Sequence, residues 1–431
     1  MEGVIGMVIY TIKPGDSLYN IAKEFGLTVA ELERFNALPD PSRLSVGQDI
    51  LIPVSGTVHT VESGESLYSI ASHYGVPLDS VILANLELRP PYNIYPGQNI
   101  IIPDSTEEKR TISVNGYVYP NIDRTVLQQT LPFLTYLSIF SHSVSADGEL
   151  NDINDTELIR TAKNSQVAPV MVITNTESVG GFSSDIAHTV LNNSATRTRL
   201  INNVIDTALD KGYTGVDVDF EYIYPEDREK YNEFLTELRT ELDLHGLTLS
   251  TAIAPKLSAT QVGTLYEAHD YAFHGSIVDY LIIMTYEWGY LYGPPMAVAP
   301  YNEVKKVLSY AVTEIPSEKI LMGMPNYGYD WTLPYTKGRP AEILSINEAI
   351  QRAYRVGAEI QYSERSEAPF YEYTRDGVSH IVWFENARST AARLQLVNDF
   401  NLGGVSYWTV NQFYAQNWRV LENMFNIRKV L

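Results

Sequence analysis

The chain is 431 residues long, a length that predicts two or three domains rather than one. Hydrophobic residues make up 45% of it and charged residues 19%, which is the composition of a folded chain and not of a disordered one. Its formal charge of −21 includes no basic block, so nucleic acid and anionic membrane surfaces are excluded as expected partners. The absence of cysteine excludes disulfides, thiolate metal sites and cysteine nucleophiles.

The N-terminal residues do not have the features of a secretory signal. An acid, Glu2, stands where a basic region is expected, and Gly3 and Gly6 interrupt the apolar run that follows. No apolar run reaches the roughly 18 residues that a membrane span requires. We therefore expect neither export by a standard signal nor a membrane anchor.

Residues 10–26 and 59–75 are two copies of one pattern. Both contain Gly, an acid and Ser-Leu-Tyr, and then Ile-Ala and a final Gly at the same spacing. Each copy also closes alike, with VGQDILIP at 46–53 and PGQNIIIP at 96–103. Short alternating segments flank a Gly-x-Ser turn and a run whose apolar residues recur with helical period. Each copy is therefore predicted to fold as strand, helix, helix, strand.

This repeat resembles the LysM module, which binds glycans containing N-acetylglucosamine, such as peptidoglycan and chitin. The resemblance covers residues 8–54 and 57–104, and Asn36 and Asn85 stand where the family carries Asn. It implies a shallow groove between the turn before the first helix and the loop after the second. The implied glycan ligands are Gly15, Asp16, Ser17 and Leu18 in the first module and Gly64, Glu65, Ser66 and Leu67 in the second. A plain α+β spacer is the alternative; repetition favours binding, because two weak sites gain avidity, and whether both modules bind stays open.

A polar segment at 105–111 precedes a large domain over 112–431. Apolar segments predict eight strands there: 112–120, 133–141, 167–175, 215–221, 247–255, 278–288, 319–329 and 403–410. Amphipathic helices are predicted at 197–211, 226–244, 302–314 and 388–400. Eight β/α units predict the α/β class and a (β/α)8 TIM barrel. The long stretch at about 330–402, with a helix at 347–357, predicts a small α+β insertion between strands seven and eight on the catalytic face.

The fourth predicted strand alternates acidic and apolar residues. Asp217, Asp219 and Glu221 share one face because successive side chains in a strand point to opposite sides. The outer face of a barrel strand packs against helices, so the acids are predicted to point into the lumen. Carboxylates are costly to desolvate, and like charges in one pocket raise the pKa of at least one of them. Glu221, furthest along the strand, is the candidate proton donor, and two carboxylates suggest glycoside hydrolysis. An exposed edge strand with a solvated acidic face is the alternative.

The acidic strand resembles the DxxDxDxE signature of glycoside hydrolase family 18, with Thr214 in place of the first acid. Three further segments resemble family motifs on strands six, seven and eight: Met284–Glu287, with Glu287 in place of Asp; 323–328, which includes Asn326 and Tyr327; and 404–408, which ends in Trp408. The resemblance covers 112–431 and includes the α+β insertion.

The family is known for substrate-assisted catalysis, in which the 2-acetamido oxygen of the sugar attacks the anomeric carbon and forms an oxazolinium ion. The resemblance implies that Glu221 is the acid and base, that Asp219 steadies the acetamide, and that Asp217 supports Asp219 through a shared proton. It also implies that Tyr286 donates to the acetamide carbonyl. Sugar contacts are implied for Trp408, Glu287, Asn326 and Tyr327. Core packing is the alternative for Tyr286 and Trp408.

Two LysM modules ahead of a family 18 barrel resemble spore cortex-lytic N-acetylglucosaminidases. That resemblance implies cleavage after N-acetylglucosamine in cortex peptidoglycan during germination, by a protein made in the mother cell and placed at the spore coat or cortex. The alternatives are a chitinase or chito-oligosaccharide hydrolase and, from another class, an inactive lectin-like barrel, which the presence of Glu221 disfavours. The eight His are not clustered like ligands, so neither a metal nor a cofactor is expected. We expect a monomer; endo or exo cutting and the role of the insertion stay open.

Overall fold

The structure is a computed structural model. It describes residues 6–431 except 39, 55, 77, 79–80, 83–84, 86–87, 89–91, 103–108 and 178–179. Three features predicted from the sequence lie wholly or mostly outside the described residues: the first N-terminal residues, the second helix of the second repeat, and most of the linker at 105–111.

The first module has the predicted strand, helix, helix, strand order. Its elements are β1 (Gly6–Thr11), α1 (Leu18–Glu24), α2 (Val29–Asn36) and β2 (Asp49–Val54). The two strands pair antiparallel. The hydroxyl of Ser17 accepts the backbone N–H of Asn20 and starts α1, as the Gly-x-Ser pattern predicts. Leu18 is buried in the module core, so its side chain packs inward.

The second module repeats this arrangement as far as it is described. Its elements are β3 (Thr57–Thr60), α3 (Leu67–His73) and β4 (Asn99–Ile102), with Ser66 capping α3 and Leu67 buried in the core. Asn36 and Asn85 have the same structural role. Each side-chain amide donates to the carbonyl four residues earlier and to another in the closing strand, and each Oδ1 accepts an N–H from that strand. The repeat therefore preserves this internal connection in both copies.

The C-terminal domain is a closed parallel barrel with a sheet inserted into it. Its strands are β5 (Thr111–Val118), β6 (Tyr136–Ser143), β7 (Ala168–Thr174), β8 (Gly215–Asp219), β9 (Thr248–Ile253), β10 (Tyr280–Ile283), β11 (Ile320–Pro325), β12 (Gly328–Leu333), β13 (Glu342–Leu344), β14 (Gln361–Ser363), β15 (Ala368–Arg375), β16 (Val378–Trp383), β17 (Gly404–Trp408) and β18 (Asn426–Ile427). Strands β5 to β11 and β17 pair in order, and β17 closes on β5. The predicted TIM barrel is confirmed.

Helices connect the barrel strands. They are α4 (Arg124–Thr130), α5 (Thr156–Asn164), α6 (Ser184–Asn192), α7 (Ser194–Lys211), α8 (Arg228–Leu244), α9 (Tyr271–Ile277), α10 (Tyr301–Glu314), α11 (Ile346–Val356), α12 (Ala387–Asp399) and α13 (Ala415–Met424). The first turn of α8 follows a single 3-10 turn, Pro225–Asp227, whose proline stands where a helix start accepts one. No helix in the described ranges has the length and apolar composition needed to cross a membrane.

The insertion between β11 and β17 is a five-stranded antiparallel sheet with one helix, α11. Its strand order is β13-β12-β16-β15-β14. The single strand predicted at 319–329 is wrong in one respect, because Asn326 and Tyr327 interrupt it. Strand β11 stays in the barrel, whereas β12 starts the inserted sheet. Helix α12, which lies inside the predicted insertion range, packs against α13 on the outside of the barrel.

Strand β8 has the predicted alternation. Val216, Val218 and Phe220 belong to the apolar core between the sheet and the helices. Asp217 and Asp219 face the lumen and are 0% and 4% exposed. The acids are therefore on the inside of the barrel, where branched apolar side chains are the rule.

The first module is docked against the barrel domain by buried polar contacts. The Gln416 amide, 1% exposed, donates to Asn36 Oδ1 at 3.0 Å and to the carbonyl of Asp49 at 3.1 Å. The Asp49 carboxylate is itself buried and pairs with Arg388 at 3.2 Å. Leu51 belongs to the same apolar core as the barrel residues. The first module and the barrel domain therefore share one packed interior.

Gly47 lies at this interface and should tolerate no side chain. A Cβ added there would stand 1.8 Å from the carbonyl oxygen of Ile360, whereas one added at the equivalent Gly97 meets nothing within 4 Å. Both glycines have left-handed φ, +82° and +86°, so Ala costs each about 1–2 kcal/mol of backbone strain. We expect Gly47→Ala to lower the free energy of unfolding by about 1–3 kcal/mol more than Gly97→Ala. Urea unfolding of both variants checks this; equal losses would contradict the docking.

Candidate active site

The candidate site is a cleft of about 920 Å³ at the carboxyl ends of the barrel strands. That volume lies at the upper end of the roughly 300–1,000 Å³ usual for ligand pockets, and it leaves room for more than one sugar. The strand ends supply the floor, and the insertion supplies one wall through 343–345 and Glu348. The insertion therefore lies on the catalytic face, as predicted.

Asp217 lies under the cleft and is fully buried. One carboxylate oxygen accepts the Tyr117 hydroxyl at 2.6 Å and the other accepts the Ser250 hydroxyl at 2.7 Å. Burial raises the pKa of Asp217 to about 6, and these two hydrogen bonds hold it down against that effect. Hydroxyl groups donate to both oxygens of Asp217, and the proton expected to be shared between Asp217 and Asp219 stays a prediction.

Asp219 reaches the cleft floor with part of its carboxylate unsatisfied. Its Oδ1 is buried and has no hydrogen-bond partner among the described residues. Burial, followed by repulsion from Glu221 and Asp217, raises the pKa of Asp219 well above its usual range. A buried acceptor without a donor is costly unless a ligand supplies the donor. An amide N–H of a bound sugar would satisfy this oxygen.

Glu221 lies just beyond the end of β8 and is fixed through its backbone. The Asn175 side chain accepts the Glu221 N–H at 2.9 Å and donates to the Glu221 carbonyl at 2.8 Å. The carboxyl group itself is left facing the cleft. Burial, followed by repulsion from Glu287, raises the pKa of Glu221 to about 7. Such a carboxyl can hold a proton near neutral pH and donate it.

Tyr286 and Glu287 follow β10, two strands from β8 in the barrel, and line the same cleft as the acids. Gly323 makes room for the Tyr286 ring, because a Cβ there would stand 2.7 Å from it. Glu287 accepts the hydroxyls of Tyr327 and of Tyr329, the latter at 2.9 Å. Burial raises the pKa of Glu287 despite these two hydrogen bonds. The two tyrosines orient a carboxylate that borders the cleft.

Trp408 is held at the cleft floor by three surrounding aromatic rings. Phe140, Tyr117 and Tyr119 all meet it edge-on, with ring centroids 4.9, 5.5 and 5.8 Å away. Asn326, predicted to bind sugar, donates its side-chain amide to the carbonyls of Thr409 at 3.1 Å and of Gln412 at 2.9 Å. Asn326 therefore holds the loop after Trp408, although it also borders the cleft.

The structure brings most of the predicted barrel-site residues together. Those that line the cleft are Asp219, Glu221, Tyr286, Glu287, Asn326, Tyr327 and Trp408. Asp217 lies beneath them, and the predicted glycan ligands of the modules lie outside the cleft. The sequence did not predict the hydroxyl donors to Asp217, the hydrogen bonds of Asn175 to the Glu221 backbone, or the aromatic rings around Trp408. Within the described part of the chain, no three His, Asp or Glu side chains are arranged to hold a metal ion.

The raised pKa of Glu221 sets the expected pH dependence. The proton donor is active only when protonated, so cleavage should fall as pH rises through about 7. A carboxyl with an ordinary pKa, about 4.3, would be ionised long before that. Measuring kcat/KM from pH 4 to 9 with soluble N-acetylglucosamine oligomers checks this. An alkaline limb centred below pH 5 would contradict it.

The fold and the site together define a TIM barrel with a row of carboxyl groups in and just after its fourth strand, at the floor of an open cleft. Residues 113–412 match the family Glycosyl hydrolases family 18, and residues 10–53 and 59–103 match the LysM domain. The chain belongs to glycosyl hydrolases family 18 and is a glycoside hydrolase that carries two LysM domains for N-acetylglucosamine-containing glycans.

Three known proteins show how far the similarity extends. A cortical fragment-lytic enzyme of Bacillus subtilis (strain 168) is 43% identical, over 98% of this chain and 99% of its own. The crystal structure of the Bacillus megaterium QM B1551 spore cortex-lytic enzyme SleL superposes with a TM-score of 0.90 and 38% identity, over 100% of both chains. A chitinase of Chromobacterium violaceum ATCC 12472 matches 73% of this chain and 99% of its own, with 26% identity and a TM-score of 0.67.

Proposed function

We propose that this protein hydrolyses the β-1,4 bond after N-acetylglucosamine in spore-cortex peptidoglycan and its fragments during germination. The observation that carries the chemistry is the pair Asp219 and Glu221: Glu221 faces the cleft, and the buried Oδ1 of Asp219 has no hydrogen-bond donor within the part of the chain that the structure describes. The substrate is supported by relatives over the full chain length whose names specify the cortex.

Cleavage proceeds in two steps, with the configuration at the anomeric carbon retained. In the first, Glu221 gives its proton to the leaving oxygen while the 2-acetamido oxygen of the same sugar bonds to the anomeric carbon. The glycosidic bond breaks and a cyclic oxazolinium ion forms. In the second step, the ionised Glu221 takes a proton from a water molecule. The water oxygen bonds to the anomeric carbon on the face from which the leaving group departed, and the oxazolinium ring opens. The family's general mechanism and the near-neutral pKa of Glu221 support this sequence.

The neighbours of Glu221 position the acetamide group. Asp219 accepts the acetamide N–H on its unsatisfied oxygen and stabilises the positive charge that develops. Tyr286 donates its hydroxyl to the acetamide carbonyl and fixes its angle of attack. Asp217 supports Asp219 through a proton that the two carboxyls share, and Trp408 stacks under the sugar ring. Glu287 and Tyr327 border the same ring.

Substrate assistance also indicates which sugar is cut. The attacked sugar needs a free 2-acetamido group, and the muramic-δ-lactam of cortex has its nitrogen tied into a ring. The attacked sugar must then be N-acetylglucosamine, which makes the protein a glucosaminidase. We propose that it acts at the cortex of the spore as a monomer, since one chain supplies every residue named in the cleft.

The test is mass spectrometry of borohydride-labelled products from purified cortex fragments. New reducing-end N-acetylglucosamine, absent with a Glu221→Gln variant, is the expected result. A new reducing end on muramic acid would overturn the assignment of the attacked sugar.

A chitinase is the second candidate, because a chitinase structure matches the barrel at 26% identity. Cleavage of chitin oligomers without cleavage of cortex fragments would favour it. Cleavage of neither substrate would leave a carbohydrate-binding barrel.

A further inference from the structure

The two LysM modules have similar sequences, but one equivalent loop is buried in the first module and exposed to solvent in the second. We name residues 45–49 and 95–99 the closing loops, because each leads into the closing strand of its module. Their internal hydrogen bonds are the same. In each loop the first residue donates its N–H to the Gln side chain three positions on, at 3.1 Å, and the glycine donates to the end of the opening strand at 2.8 Å. The loops therefore share one conformation, and differences in their exposure come from their neighbours.

The closing loop of the first module is covered by the barrel domain. Ser45, Gln48 and Asp49 are 4%, 5% and 2% exposed. The backbone of Ile360 donates to the carbonyl of Val46 at 2.9 Å, and the remaining contacts include the Gln416 and Arg388 pairs described above. The insertion therefore covers most of this loop, although Gln48 borders a pocket of about 250 Å³ between the first module and the insertion.

The closing loop of the second module is open. Tyr95 is 67% exposed, the backbone at Gly97 has free space around it, and Asn99 is exposed where its counterpart Asp49 is buried. The facing turns do not differ in this way, since an added Cβ at Gly15 or at Gly64 meets nothing within 4 Å. Among the described residues, the second module thus presents both a turn and a closing loop to solvent, whereas the first module presents the turn alone.

We propose that the second module alone carries the glycan groove, and that the first module serves as a fixed part of the catalytic unit. The ligand is a neutral N-acetylglucosamine chain, bound by backbone groups of the turn and by the face of the Tyr95 ring. This inference rests on the proposed function only for the identity of the glycan. It answers the question, left open by the sequence, of whether both modules bind glycan: one is a binding site and the other an anchor.

A matched pair of substitutions tests the asymmetry in the full chain. Gly15→Asn and Gly64→Asn place the same side chain at the same left-handed φ, +88° and +91°, with free space in both cases. Asn tolerates this backbone region, so both variants should fold. The probe is insoluble chitin, with retention measured as an apparent Kd in a Glu221→Gln background that prevents cutting.

We expect Gly64→Asn and Tyr95→Ala each to weaken retention by about ten-fold, and Gly15→Asn by less than about two-fold. An equal or larger loss from Gly15→Asn would overturn the proposal, as would unchanged retention in both second-module variants. Hydrolysis of soluble cortex fragments by the same variants with Glu221 intact is the separate readout of the proposed function. Its absence in the unsubstituted chain would overturn that function and leave the retention result standing.

Discussion

Replacing Glu221 with Gln should lower kcat about 1,000-fold, within the range of about 10² to 10⁴ that general acid–base groups contribute. The amide keeps the shape of the carboxyl but has no proton to give and cannot take one from water. KM should change little, because the Glu221 backbone is still held by Asn175. Steady-state rates on soluble cortex fragments check the prediction. Residual activity above a few per cent would remove Glu221 from its role.

The same substitution should stabilise the fold at high pH. Because the folded-state pKa of Glu221 is raised to about 7, the folded chain holds a proton that the unfolded chain releases near pH 4.3. That stabilisation is complete below about pH 4 and is lost as pH rises through about 7. The Glu221→Gln variant does not lose this stability, so its gain in Tm over the unsubstituted chain should be larger at pH 8 than at pH 5.

Asp219→Asn should lower kcat about 100-fold or more and change the pH profile as well. The amide offers an N–H where the substrate acetamide needs an acceptor, and it carries no charge to stabilise the oxazolinium ion. Removing one of two coupled carboxyls also lowers the pKa of the one that remains. The alkaline limb of kcat/KM should therefore move to lower pH. Rates measured from pH 4 to 9 report both effects.

Asp217→Asn is the comparison for this prediction. Asp217 is buried beneath the cleft with both oxygens bonded to hydroxyls, so it influences the sugar only through Asp219. We expect a loss of about ten-fold, clearly smaller than for Asp219→Asn. A loss from Asp217→Asn that matches or exceeds that of Asp219→Asn would reverse the assigned roles.

Much of this architecture is predictable because its signals are periodic. Alternation over 215–221 predicted which side chains of β8 face the lumen, and the self-similarity at 10–26 and 59–75 predicted the module fold. Helix α8 lies within two residues of its prediction at 226–244, since its apolar stripe is long. Shorter helices such as α4 and α9 were missed, because seven residues carry less than two full helical periods.

The partners of the acids were not predictable. Tyr117 and Ser250 reach Asp217 from strands 100 and 33 residues away in sequence, and Asn175 clamps Glu221 across 46 residues. Tyr, Ser and Asn at isolated strand positions have no spacing that distinguishes a hydrogen-bond partner from packing. The docking of the first module could not be predicted either, because Gln416 lies 380 residues from Asn36 in the sequence.

The packing of the first module against the barrel domain also bears on the distance between the second module and the cleft. Val58 of the second module packs onto the core of the first, and the first shares its interior with the barrel. Within the described residues, the second module is therefore linked to the barrel domain through packed contacts of the first module. We expect a glycan strand bound at the proposed Tyr95 site to reach Glu221 after a fixed number of sugar units. The lengths of the first products would then report the distance between the glycan-binding loop and the site of cleavage.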